Sequence, residues 1–322
     1  MSNRRDFLRN ISLATAGGLL AGKSGVMHAA TNETSAAMAN KSLGLQIYSL
    51  QNELYDDLPK RMKELKKLGY ENIELAGYSS GKIGEVDMME FKRIAEGEGL
   101  KLVSSHVNTL INGKYEFFGK YTRDMLPQIK EFWKTVADDH AKLGCKYVIQ
   151  PMQPGCDTHE EAAVICEVFN AIGEVTKASG IPFGYHNHNF EFKRLVKPED
   201  KRPPSPFDIF MPQGDQILDL FIKGTDPSLV FFELDVYWTV MGQNDPVEYM
   251  AKNASRIKAL HIKDRSVLGR SGMMNFEMIF KQMYDNGIKD FFVELEAMPD
   301  GRPQFAGVTD SAAYLQKAPF VK

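Results

Sequence analysis

Cysteine is scarce in this chain. Its 322 residues carry three, Cys145, Cys156 and Cys166, an odd number with no Cys-x-x-Cys pair. No structural disulfide is expected, and Cys145 and Cys166 read as small buried hydrophobes. A basic excess is also missing: 39 Lys and Arg face 42 Asp and Glu, for a formal net charge of −3. Without a bulk positive field, nucleic acid is not an expected partner. The apolar run nearest the start, Ile11–Ala21, is shorter than the ~20 residues that span a bilayer. No solenoid-type repeat is present. No glycine follows the first expected strand, where Tyr48-Ser49-Leu50-Gln51 stands. An open doubly wound sheet would place a glycine-rich phosphate turn there.

What is present is ordinary soluble material, 43% hydrophobic and 25% charged. The length suits one large α/β barrel or two smaller domains. Residues 1–30 differ from the rest. Arg4-Arg5-Asp6-Phe7-Leu8 before an apolar stretch resembles a twin-arginine export signal, with small residues near Ala29-Ala30 for cleavage. That predicts a periplasmic or otherwise exported protein with no stable membrane insertion after processing. The segment carries a net +3, and its removal leaves −6 on the mature chain. Residues 31–42 are polar and alanine-rich and read as a linker.

From residue 43 onward, strands and helices alternate eight times. The expected strands are 43–49, 72–75, 102–106, 147–150, a fifth within 183–192, then 230–235, 257–261 and 291–294. The intervening helices are expected at 53–68, 87–98, 123–143, 159–178, 246–253, 275–286 and 308–316. A proline-rich stretch, 195–221, reads as an insertion on the active face, its later part holding a short helix. Eight such alternations predict a single-domain (β/α)8 TIM barrel over residues 43–322.

The strand ends carry the chemistry. Phe183–Phe192 (FGYHNHNFEF) reads as a buried strand ending in His186-Asn187-His188. Val230–Asp235 ends in an acid, Ile257–His261 in a histidine, and Phe291–Glu294 in an acid. In a parallel barrel all these tips meet on one face. Two imidazoles and two carboxylates gathered there make a mixed N/O site for a divalent metal. His186 and His188, two apart on a strand, share a face, as do Glu294 and Glu296. Each residue alone has a plainer reading: a hydrogen-bonded histidine pair, a core histidine, an ion pair or a helix cap for Asp235.

Tyr185-His186-Asn187-His188, Leu234-Asp235-Val236-Tyr237-Trp238, His261-Ile262-Lys263-Asp264 and Val293-Glu294-Leu295-Glu296 resemble the motifs of the xylose-isomerase-like sugar phosphate isomerase/epimerase superfamily. That superfamily also includes inosose dehydratases and endonuclease-IV-like barrels. The similarity runs from about Lys41 to the end. It implies one divalent ion (Mn²⁺, Mg²⁺, Co²⁺ or Zn²⁺) held by Asp235, His261 and Glu294, with His186 where the family usually has a fifth-strand Glu. It further implies proton abstraction beside a carbonyl through an enediolate. Glu294 would double as ligand and base, His188 or His106 would take the second acid–base role, and Lys263 would neutralise developing charge. Glu74, His106, Gln150, His188, Trp238 and Lys263 would line a pocket for a small carbohydrate. The implied activity is isomerisation or epimerisation. The alternative is β-elimination on a keto-sugar, keto-glycoside or inosose. Phosphodiester cleavage is disfavoured by the −6 charge, and a non-catalytic sugar-binding module would retain no metal. A homo-oligomer is compatible with all of these.

Overall fold

A computed structural model describes residues 41–111, 119–209 and 211–322. The export segment and all but the last two linker residues lie outside them. Eight strands form one parallel sheet: β1 (Leu43–Gln46), β2 (Tyr70–Leu75), β3 (Lys101–Ser105), β4 (Val148–Gln150), β5 (Phe183–His186), β6 (Val230–Asp235), β7 (Ile257–Lys263) and β8 (Asp290–Glu294). Their order is β3-β2-β1-β8-β7-β6-β5-β4. Between β3 and β4 the ring closes through a single bridge, His106 opposite Ile149. Val107 N–H donates to Ile149 O at 2.9 Å there, and Lys146 N–H to Val103 O at 2.7 Å. This is the (β/α)8 barrel that the alternation predicts.

The strands are short and apolar because helices cover one face and barrel contents fill the other. β6 is buried at every position, its acids included. Gly184 in β5 is there for close approach: a Cβ would meet the Phe231 ring at 2.6 Å. The helices α1 (Leu58–Lys67), α2 (Met88–Gly97), α3 (Leu126–Leu143) and α4 (His159–Ala178) pack their apolar stripes inward. Gly144, at φ 80°, ends α3 in the left-handed conformation. Asp87 caps α2 by accepting from Met89 N and Glu90 N. The three cysteines are free and buried. Among the described residues no helix is long and apolar enough to cross a membrane.

Several boundaries differ from the sequence reading. β1 stops at Gln46, and a 3-10 stretch (Ile47–Leu54) replaces the start of the expected first helix. α1 begins only at Leu58, where Pro59 sits in its first turn and Asp57 caps Lys60 N. β5 stops at His186, so His188 stands on the following loop and not on the strand. The insertion is held by a short antiparallel pair, Arg194–Leu195 with Asp215–Gln216. It gives way to helix α5 (Ile217–Gly224), whose Phe221 is fully buried against Phe169 and Tyr185. That part of the stretch is therefore core. A helix absent from the expectation, α6 (Val236–Met241), follows β6 directly. The last helix, Gln304–Lys317, starts four residues early because the Glu53 carboxylate accepts from Gln304 N and Phe305 N.

Candidate metal centre

β6, β7 and β8 run in register with Asp235 beside His261 and Lys263 beside Glu294, while Glu233 on β6 lies beside His186 on β5. Period-two alternation then turns Glu233 and Asp235, and likewise His261 and Lys263, to one face. The inward groups stack in two layers. In the upper layer, one atom from each of His186, Asp235, His261 and Glu294 lies within 4.8 Å of the others. His186 Nε2 stands 3.6 Å and His261 Nδ1 3.9 Å from Asp235 Oδ2, and His261 Nδ1 lies 3.1 Å from Glu294 Oε2.

The hydrogen-bond inventory of this layer tests whether it suits a metal. Neither ring nitrogen of His186 has a partner, nor has Asp235 Oδ2, although all are buried. Buried polar atoms rarely go unpaired. A divalent ion bound by two imidazoles and two carboxylates would satisfy Asp235 Oδ2 and one of the His186 nitrogens. Asp235 divides its two oxygens: Oδ1 accepts from Trp238 N at 2.8 Å and caps α6, leaving Oδ2 for the site. Lys263, wholly buried, donates to Glu294 Oε2 at 2.8 Å and to Glu296 Oε1 at 2.5 Å. Its ammonium also sits 4.8 Å from the centre of the Trp238 ring.

The second layer lies beneath. His261 Nε2 contacts Glu74 Oε2 at 2.5 Å and Glu233 Oε2 at 3.2 Å. His106 Nε2 lies 2.8 Å from Glu233 Oε2 and 3.3 Å from Glu74 Oε2. Gln46 Nε2 donates to Glu74 Oε2 at 2.9 Å.

Burial and charge set the protonation of both layers. Burial pushes the Asp235 carboxyl up to about 7, against the pull of Lys263 and His261. Glu233 is likewise raised to about 7, by burial and by the Glu74 charge. Burial also pushes Glu294 and Glu74 up, but neighbouring cations win: Lys263 and His261 hold Glu294 well below its usual range, and His106 and His261 lower Glu74. Burial disfavours a charged His261, yet Glu233, Glu294 and Glu74 hold it well above the ordinary imidazole value. Burial and the surrounding imidazoles lower His186. Burial, helped by Lys263, His106 and His261 and opposed by Glu294, takes His188 down to about 3, so its ring is neutral. On Lys263, three carboxylates outweigh burial and raise it.

Above the upper layer opens a cleft of about 490 Å³, with Tyr48, His106, His186, His188, Glu294 and Glu296 in its wall. The four expected ligands thus converge, and His188 joins them from the loop, its ring 4.9 Å from His186. His106 lines the cleft as expected. Four expected wall residues, Glu74, Gln150, Trp238 and Lys263, do not. Glu74 is fully buried beneath His261, and Gln150 is fully buried with its amide bonded to Thr109, Tyr121 and Met152. Trp238 packs beside His188 and Lys263, behind the wall. The sequence reading missed Glu233, which alternation with Asp235 could have found, and Tyr48, which no pattern marks. It also missed Glu191, a buried carboxylate that accepts from Tyr185 Oη and from His188 N at 2.9 Å and so fixes the His188 loop.

Comparison with known proteins agrees with this fold. A solved sugar phosphate isomerase/epimerase from Parabacteroides distasonis is 59% identical, covering 88% of this chain and all of that one, at a TM-score of 0.83. D-psicose 3-epimerase from Clostridium cellulolyticum shares the fold at 16% identity, covering 87% of this chain and 99% of that one (TM-score 0.63). So does 3-keto-D-glucoside 4-epimerase from E. coli at 15%, covering 86% and 100% (TM-score 0.62). No curated protein matches. The family model described as xylose isomerase-like TIM barrel matches residues 62–318, and the chain belongs to that family.

Proposed function

We propose that this protein is a divalent-metal-dependent sugar isomerase or epimerase that moves a proton on the carbon beside a carbonyl. The observation that carries the reading is the gathering of His186, Asp235, His261 and Glu294, several of their atoms unpaired, directly under an open cleft. A divalent ion bound there supplies positive charge at the substrate's carbonyl oxygen. Glu294, held deprotonated by Lys263 and His261, is the candidate base for the adjacent C–H. Lys263 keeps Glu294 and Glu296 in place and sets a fixed cation beside the charge that develops. His188, a neutral imidazole on the cleft wall, is the candidate for the second proton-transfer role.

The substrate reading is a free sugar or glycoside. Among the described residues, the cleft wall contains no lysine or arginine to grip a phosphate. Relatives of the fold named for D-psicose and for a 3-keto-D-glucoside support a keto-sugar. A second reading uses the same carbanion chemistry for β-elimination, which the histidine in place of a fifth-strand glutamate favours. Incubating metal-loaded protein with keto-sugars and keto-glycosides in D₂O tests both. Solvent deuterium in an intact product supports the isomerase or epimerase, and an unsaturated product supports the lyase. Absence of exchange with every such substrate would remove proton abstraction as the activity. Glu294→Gln is expected to lower metal occupancy and turnover together.

A further inference from the structure

Apart from His261, the lower layer has no part in that reaction, and its geometry is unusual for hydrogen bonds alone. Two nitrogens and two oxygens alternate: His106 Nε2, Glu233 Oε2, His261 Nε2, Glu74 Oε2. Successive separations are 2.8, 3.2, 2.5 and 3.3 Å, so every oxygen lies near both nitrogens. An ordinary N–H points at one acceptor. Four donor atoms arranged round a common point are what a small cation collects. With bonds of roughly 2.0–2.1 Å, a tetrahedral ion sets its ligand atoms roughly 3.3–3.4 Å apart, so two edges already fit and the other two must open, most of all that between His261 Nε2 and Glu74 Oε2.

Two buried carboxylates also attract a cation. Glu74 and Glu233 are fully buried, and Oε1 of each has no partner. Two protons would supply the same charge, on both imidazoles or on one imidazole and Glu233. But the His106 and His261 rings stack at 5.0 Å, only 14° from parallel, and two stacked imidazolium cations repel. One divalent ion replaces both protons and avoids that contact. Gln46, donating to Glu74, supplies the outer hydrogen bond that oriented metal carboxylates commonly have.

We infer that Glu74, His106, Glu233 and His261 form a second cation site, closed and four-coordinate, suited to a borderline divalent ion such as Zn²⁺. Its ligands come from β2, β6 and β7 and from the residue after β3, so the ion cross-links four of the eight strands. With four protein ligands and no open position, the site is structural and not catalytic. His261 serves both layers, Nδ1 upward and Nε2 downward. With both sites filled, its second ring proton passes to solvent and the ring bridges the two ions.

The inference shares His261 with the proposed reaction but does not depend on it. Anomalous diffraction from crystals of the full chain soaked with Zn²⁺ tests it. Two peaks are expected, one against each ring nitrogen of His261. A lone peak at Nδ1 overturns this inference and leaves the proposed reaction standing. A lone peak at Nε2 supports this inference and counts against the reaction. No peak at Nε2 under saturating Zn²⁺ rejects the second site outright. In solution, elemental analysis after dialysis is expected to give two equivalents for the wild type. Glu233→Gln should give one and lose most of the Zn²⁺-dependent rise in Tm, whereas Asp235→Asn should give one and keep that rise. If Glu233→Gln retains two equivalents, the site does not exist.

Discussion

Asp235 shows how much one carboxylate carries here. Its Oδ1 caps α6 and its Oδ2, buried without a hydrogen-bond partner, faces the proposed ion site, so one residue can serve as both cap and ligand. Asparagine is as good a cap but a poor metal ligand. Asp235→Asn should therefore leave Tm without metal close to wild type. Its metal affinity should fall by more than the roughly 10–100-fold that losing an outer-shell partner costs, measured by competition with a chelating dye. Lys263 is the opposite case, a buried cation among three carboxylates. Lys263→Met leaves those charges unmatched and is expected to destabilise the metal-free protein by about 3–5 kcal/mol, read from urea unfolding. Asp235, His261 and Glu294 were legible in the sequence because each ends a short apolar run. Glu233 was not, because an acid inside such a run has no mark except its two-residue offset from Asp235.

Elements were legible where a stop or cap signal was local. α4 and β6 have the ends that the sequence indicated, α4 with Thr158 as its cap and Gly180 and Pro182 beyond its end. They were illegible where a distant residue sets the boundary, as Glu53 does for the last helix. The His-Asn-His run looked like strand, yet the chain leaves the sheet after His186, and Glu191 binds the His188 amide. α3 carries a pH effect of its own. His140, fully buried, donates from Nδ1 to Val136 O at 2.7 Å, and burial pushes its ring down to about 4. Unfolded, the ring titrates near 6.5. Between those values the unfolded chain binds a proton that the native state refuses, so stability falls as pH drops from about 6.5 to about 4. The loss attributable to this residue is about 3 kcal/mol. His140→Phe should flatten that part of the stability–pH curve, compared with wild type in denaturant titrations at pH 7, 5.5 and 4.5.

At the scale of the whole molecule, the barrel was readable because eight strand–helix alternations admit few other closures. The expectation of export is a separate matter, resting on Arg4 and Arg5 ahead of the apolar run. Replacing both by lysine should leave the protein in the cytoplasmic fraction and block its processing, while wild type appears shortened outside it. Unprocessed wild type in the cytoplasm would reject the export expectation.

Two joints in the ring of strands are thin, β1 against β8 at one register pair, Leu45 opposite Val293, and β3 against β4. β4 is three residues long and meets β3 through a single bridge, whose partner is His106. A cylinder breathes where fewest rungs hold it, so amides of Val107 and Tyr147 should exchange with deuterium ahead of those in β6 and β7. Since His106 also reaches the floor of the cleft, filling the space above should slow exchange at this joint first. That seam would then report occupancy without any label on the substrate.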